Sequence, residues 1–159
     1  MNISIVKDMT TDIEITKQYV MRRVGMATAY IGAKADDPAM AYRRVAAVES
    51  DRELLDKYWI SATTRADVCL GKWLLCRHDS CGSDGAYKVT LQIPRRFNLA
   101  RLPALCHTLR DMIAADIVAD WLAVAAPDIE ARYRSAVEDL TLQMRRIMDA
   151  GRKKRMEVV

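Results

Sequence analysis

The sequence predicts a mainly α-helical domain, four helices in an antiparallel arrangement with a small β-hairpin inserted between the second and third. Apolar residues recur at spacings of three and four along four long stretches, whereas Lys88 to Ile93 alternates polar and apolar with period two. A turn-rich run, Ser80-Cys81-Gly82-Ser83-Asp84-Gly85, stands just before that alternating segment. At 159 residues, with 51% hydrophobic and 29% charged residues, 6 Gly and 4 Pro, the composition is globular. A chain of this length buries a core without disulfides or metal, and the same figures exclude collagen-like and largely disordered readings.

Taken in order, Thr10-Thr11-Asp12 offers side-chain oxygens to a helix start, and Ile13, Val20, Val24, Ala27 and Ile31 follow at helical spacing. The first helix is therefore predicted over about Asp12 to Ile31, with Gly32 as its C-cap. Ala33 to Met40, containing Asp36-Asp37-Pro38, reads as a connection or the start of a short helix, and Tyr42 to Val48 fits neither pattern cleanly. Ser50 with Glu53 three positions later makes a capping box, and Leu55, Tyr58, Ala62, Ala66, Cys69 and Trp73 continue the stripe. That gives a second helix from Asp51 to about Leu74. The hairpin insert falls near 75–94. Pro103 is tolerated in a first helical turn, and Leu102, Cys106, Leu109, Ile113, Ile117, Trp121 and Val124 form the most regular stripe in the chain. Pro127-Asp128 interrupts it, and Ile129, Tyr133, Val137, Leu140, Met144 and Ile147 resume it as far as Ala150. With only Ala125 to Asp128 between them, these two helices must run antiparallel as a helical hairpin over 102–150. Residues 1–150 thus read as one helical domain and 151–159 as a basic tail.

Charge is unevenly spread. Lys and Arg number 25 against 21 Asp and Glu, a net of +4, and Arg152, Lys153, Lys154 and Arg155 face only Glu157 in the tail, which therefore holds most of the excess. The body is close to neutral, so the signature of a nucleic-acid-binding face is confined to one end. No charge-free stretch approaches the ~20 apolar residues of a membrane span. Met1 to Asp8 has neither a basic n-region nor an apolar h-region, which leads us to expect synthesis in the cytosol.

Groups able to carry chemistry are few. The four cysteines, Cys69, Cys76, Cys81 and Cys106, are expected to be reduced, two of them on apolar helix faces. Cys76, His78 and Cys81 form the one metal-like cluster, but zinc asks for four ligands, and the fourth would have to come from Cys69 or His107. We read no metal and no cofactor from this. Asp116 and Asp120, four apart on one helix, share a face as acid/base chemistry requires, yet no positioned His, Glu or Gly-rich loop accompanies them. They read instead as exposed carboxylates meeting arginines of a neighbour. His78 and His107 lack the partners of a Ser-His-Asp or Cys-His arrangement, so no catalytic residue is assigned and no enzyme is expected. Trp59, Trp73 and Trp121 sit at core spacing. Arginine pairs recur at Arg22-Arg23, Arg43-Arg44, Arg95-Arg96 and Arg145-Arg146. Arg145 and Arg146, with Arg152, Lys153, Lys154 and Arg155, are the candidate contacts to a partner or to nucleic acid.

Three segments then carry a resemblance: Asp51-Arg-Glu-Leu-Leu-Asp-Lys-Tyr-Trp-Ile, the helix from Leu105 to Leu122, and Ile129-Glu-Ala-Arg-Tyr-Arg-Ser-Ala-Val-Glu-Asp-Leu. In this order they resemble the small helical head-tail connector, or head-completion, proteins of tailed phages and prophages, especially the Mu-like type. An apolar helix containing aspartates leads through a loop into an Arg-Tyr-x-x-Ala type helix. Met1 to Ser50 and the hairpin are additions to that pattern. The resemblance implies a non-enzymatic assembly protein acting through protein–protein contacts. It would sit as a homo-oligomeric ring against portal and tail-completion proteins, in the bacterial cytoplasm during assembly and then in the virion, with no membrane contact and with DNA within reach of the basic tail. The alternative reading is a small nucleic-acid-binding regulatory protein using Arg145 to Arg155.

Overall fold

In the computed structural model, which describes residues 9–34, 46–47, 49–79 and 85–150, the chain is mainly helical with a small three-stranded antiparallel sheet. Its elements are β1 (Met9–Thr16), α1 (Lys17–Ala33), α2 (Arg52–Leu70), β2 (Leu74–Asp79), β3 (Ala86–Ile93), α3 (Leu102–Ala125) and α4 (Pro127–Ala150). The segment 35–45, open in sequence between a connection and a short helix, lies outside the described residues, as do 1–8, 80–84 and the tail 151–159.

Helix α3 is the axis of the core. Leu105, Leu109, Ile113, Ile117 and Leu122 are fully enclosed, and Ala114, Val118, Ala119 and Trp121 are buried outside that stripe. The burial extends around α3 because α1, α2 and α4 all pack on it. Helix α4 has the opposite character. It buries Met144 and Met148, lays Tyr133, Val137, Leu140 and Ile147 half-buried along the core, and gives its other face to water. A single residue, Ala126, joins the two: its N–H bonds the Leu122 carbonyl at 2.8 Å and its carbonyl accepts from the Ile129 N–H at 3.0 Å. Their antiparallel course follows from the contacts, because Thr141 meets Met112 at 3.4 Å whereas Arg134, earlier on α4, meets Asp116 and Asp120, later on α3.

The sheet has the order β1-β3-β2, with β3 central. β1 pairs with β3 along its whole length, from Met9↔Ile93 to Thr16↔Ala86. β2 pairs from Leu74↔Leu91 to Asp79↔Tyr87, with a bulge between Leu74 and Cys76. Ile13, Ile15, Tyr87, Val89, Leu91 and Ile93 point into the core, and Asp12, Glu14, Lys88 and Gln92 point away. Trp73 closes one end, edge-on to Phe97 with ring centroids 5.1 Å apart.

Four sequence expectations are corrected. Gly32 does not cap the first helix, which runs on to Ala33 with Lys34 as its C-cap, and Ser50 does not cap the second, whose N-cap is Asp51 with no side-chain cap bond. The first helix does not begin at Asp12: Met9–Thr16 is a strand, and the helix starts at Lys17. Thr10-Thr11-Asp12 therefore caps nothing, and Ile13 and Ile15 alternate with Asp12, Glu14 and Thr16. Without β1, the far edge of β3 would present a row of unpaired N–H and C=O groups. The two-stranded insert is thus part of a three-stranded sheet. The second helix stops at Leu70 rather than Leu74, because Gly71 takes φ +52°, a conformation that L side chains resist, and turns the chain through Trp73 into β2.

Candidate functional site

The densest cluster of charge sits where α2, α3 and α4 meet. Asp116 and Asp120 lie one turn apart on α3, and each is held by arginines from both flanking helices. Arg65 of α2 donates Nε–H to Asp116 Oδ2 and an Nη2 hydrogen to Asp120 Oδ2 at 2.6 Å. Arg134 of α4 donates from Nη1 to Asp116 Oδ1 at 3.2 Å, from Nη2 to Asp120 Oδ1 at 2.6 Å, and from Nε to Glu130 at 2.7 Å. Both oxygens of both aspartates are therefore engaged by guanidinium groups.

Burial shapes the electrostatics. The Asp116 side chain is 4% exposed, so the carboxylates are not the exposed pair the sequence suggested, although arginine partners do face them. Loss of water pushes the Asp116 carboxyl above its ordinary range, outweighing the downward pull of Arg65 and Arg134. Burial lowers the Arg65 and Arg134 guanidiniums, but hydrogen bonds to the carboxylates raise them further, and both end above their usual value. Tyr58 on α2 is pushed up by burial and then by the Asp120 charge. With its acceptor oxygens committed, the cluster ties three helices together, and the bidentate fork of arginine suits that work.

A second network fastens α2 to the sheet. Asp67 accepts from Arg77 Nη1 at 2.7 Å and from the Tyr87 hydroxyl at 2.6 Å, while Arg77 Nη2 donates to Thr63 at 3.0 Å. Burial and this hydrogen bond push the Tyr87 hydroxyl far above its usual value. Lys17 to Asp56, 2.8 Å, ties the start of α1 to α2, and Arg23 to Asp111 ties α1 to α3.

On the outer face of the sheet, the exposed Cys76 and His78 of β2 approach at 3.4 Å, Sγ to Nε2. The Thr90 hydroxyl donates to Asp12 at 2.6 Å, leaving its oxygen to accept from His78 Nε2 at 2.8 Å. Cys81 lies outside the described residues, and among those described no three of His, Cys, Asp and Glu gather as metal ligands. Cys69 and Cys106 are half-buried, and burial pushes the Cys106 thiol up; His107 is exposed.

Of the candidate partner contacts, Arg145 and Arg146 are exposed on the last turns of α4, and Arg152, Lys153, Lys154 and Arg155 lie outside the described residues. Trp59, Trp73 and Trp121 are buried, as their spacing indicated. No local pattern marks Arg65 as a partner of Asp116, because that pairing depends on the register of α2 against α3. Arg134 carried a local sign, lying four residues beyond Glu130 on one helix face. No helix among the described residues is long and apolar enough to cross a membrane. No protein-family model, curated protein or solved structure matches the chain.

Proposed function

We propose that this chain is an assembly protein acting through protein–protein contacts, a component of the phage or prophage head-tail connector kind that is not an enzyme. Its copies would associate in a ring against portal and tail-completion proteins. The observation that carries the reading is α4. This helix of 24 residues buries only Met144 and Met148 and offers solvent a long face that includes Leu142, Arg145 and Arg146. Arginine and large apolar groups are what protein interfaces favour. The Asp116–Asp120 cluster supports the same reading, since its oxygens are occupied by Arg65 and Arg134 and serve to brace the scaffold. The basic residues Arg152, Lys153, Lys154 and Arg155 would follow α4 toward a partner or toward DNA passing through the ring.

The test is to mix the protein with the portal and tail proteins encoded beside it and to examine the mixture by electron microscopy. A ring-shaped complex is the expected result. If no complex forms and tight, salt-sensitive DNA binding appears instead, the regulatory reading through Arg145 to Arg155 replaces this one.

A further inference from the structure

Between the end of α1 and the start of α4 the surface opens into a groove of about 410 Å³. Ile31 and Ile129 line it with an apolar surface, Tyr30 and Tyr133 stand as aromatic walls, and Lys34 and Arg132 supply positive charge. We infer that this groove is the docking site for an acidic segment of a partner protein, one that inserts an apolar side chain flanked by aspartate or glutamate. The inference rests on the assembly reading above and names the surface and the kind of partner it uses.

Charge selects the occupant. Lys34 and Arg132 form no ion pair among the described residues, whereas Arg23, Arg65, Arg77 and Arg134 all do. Lys34 instead rests its ammonium group 5.6 Å from the centre of the Tyr30 ring, which holds a cation beside the groove. On α4, Glu130 is committed to Arg134, and Asp128, one turn before Arg132, forms no ion pair with it among the described residues. Two cations with no ion-pair partner among the described residues, beside an apolar cleft, match a partner bearing carboxylates and would steer it in at long range.

The apolar part of the occupant follows from the lining. Tyr30 is 66% exposed, and Met26, one turn earlier on α1, is equally so, which extends the apolar surface beyond the groove along the helix. The volume falls near the lower end of the ~300–1,000 Å³ typical of ligand cavities, enough for an apolar side chain or two but not for a whole helix. Tyrosine and arginine at the rim are residue types that dominate binding energy at protein interfaces.

The probe is a random peptide library displayed on phage and panned against the folded protein. Enriched peptides are expected to place Leu, Phe or Trp among acidic residues. A synthetic copy of the leading peptide should lose about tenfold or more in affinity on Arg132→Glu and on Ala136→Trp, which fills the groove from its lining residue Ala136, and should bind more weakly as salt rises. Arg132 is exposed, so Arg132→Glu should leave the thermal unfolding transition in place and separate loss of binding from loss of fold. No enrichment, winners without acidic residues, or winners indifferent to both substitutions would overturn the inference. Winners reproducing the chain's own Ala35-Asp36-Asp37-Pro38 would overturn it too, in favour of an intramolecular occupant. The ring assay keeps the two readings apart: if wild type and Arg132→Glu assemble equally well the groove inference fails alone, and if wild type does not assemble the assembly reading fails.

Discussion

Replacing Arg65 and Arg134 together by methionine strips both cations from the carboxylates at the meeting of α2, α3 and α4. Each arginine alone is replaceable in part, because the other still reaches both Asp116 and Asp120. The Arg65 and Arg134 side chains are 44% and 36% exposed, so water screens much of their charge, and either single substitution should cost about 1–2 kcal/mol. The double variant leaves Asp116, 4% exposed, with no counter-charge, and stranding a buried charge costs about 3–5 kcal/mol. The double loss should therefore exceed the sum of the singles by about 1 kcal/mol, beyond the ~0.3–0.5 kcal/mol within which independent sites add. Urea unfolding followed by circular dichroism at neutral pH measures all three. Adding Asp116→Asn to the double variant should recover about 1–2 kcal/mol, since a neutral amide strands no charge. A double variant that loses less than about 1 kcal/mol, or whose singles add within that margin, would refute the view of the cluster as a three-helix brace.

The same carboxyl gives a pH signature. Its folded value lies above the ordinary one, so between the two the folded state holds more protons, and this group's contribution to stability falls as pH rises from about 4 through the folded value. Asp116→Asn removes that dependence, so in urea titrations the variant should gain on wild type with rising pH across that window and run parallel above it. Ile113→Ala and Ile117→Ala should each cost about 2–5 kcal/mol in urea unfolding, because both side chains are fully enclosed around α3. Gly71→Ala should cost about 1–3 kcal/mol by the same measurement, despite open space around a new Cβ, because φ +52° is strained for alanine. Deleting 151–159 should leave the thermal transition in place, since among the described residues the buried core reaches only to Met148, and should weaken ring formation. A chelator should leave the unfolding midpoint unchanged; a downward shift would bring Cys76, His78 and Cys81 back as ligands.

Periodicity served the sequence reading best where an element was long. Over α3 and α4 the stripe repeats often enough to mark two helices, although Val124, its last member on α3, is 71% exposed, and the short connection at Ala125 to Asp128 allows only a hairpin. It failed at β1, where Ile13 stands seven residues before Val20 and so belongs equally to a helical stripe and to a strand alternating with Asp12 and Glu14. What decides between them is the free edge of β3, more than seventy residues away. The bulge at Leu75 hid β2 in a similar way by breaking its alternation. At the charge cluster, the shared face of Asp116 and Asp120 was legible from their spacing, and so was their need for arginines. Which arginines answered was set by the offset of α2 and α4 against α3, which no local pattern encodes. The groove was beyond reach for the same reason: Tyr30 and Tyr133 come together only through packing.

The pairing of β1 with β3 has a temporal side. Translation proceeds at about 5–20 residues per second, so the partner of β1 is made roughly 4–17 s after β1 itself. During that interval Ile13 and Ile15 have no partner strand, and α1 and α2 have been made before α3, the helix on which both later pack. Asp12 and Glu14 flanking the isoleucines act as gatekeepers, since like charges discourage two nascent strands from pairing with each other. β2 and β3, close in sequence, can form first, with β1 closing the sheet last at the cost of a long loop. A nascent chain halted before Leu102 would therefore hold strands and helices whose apolar faces lack α3, the helix on which they pack.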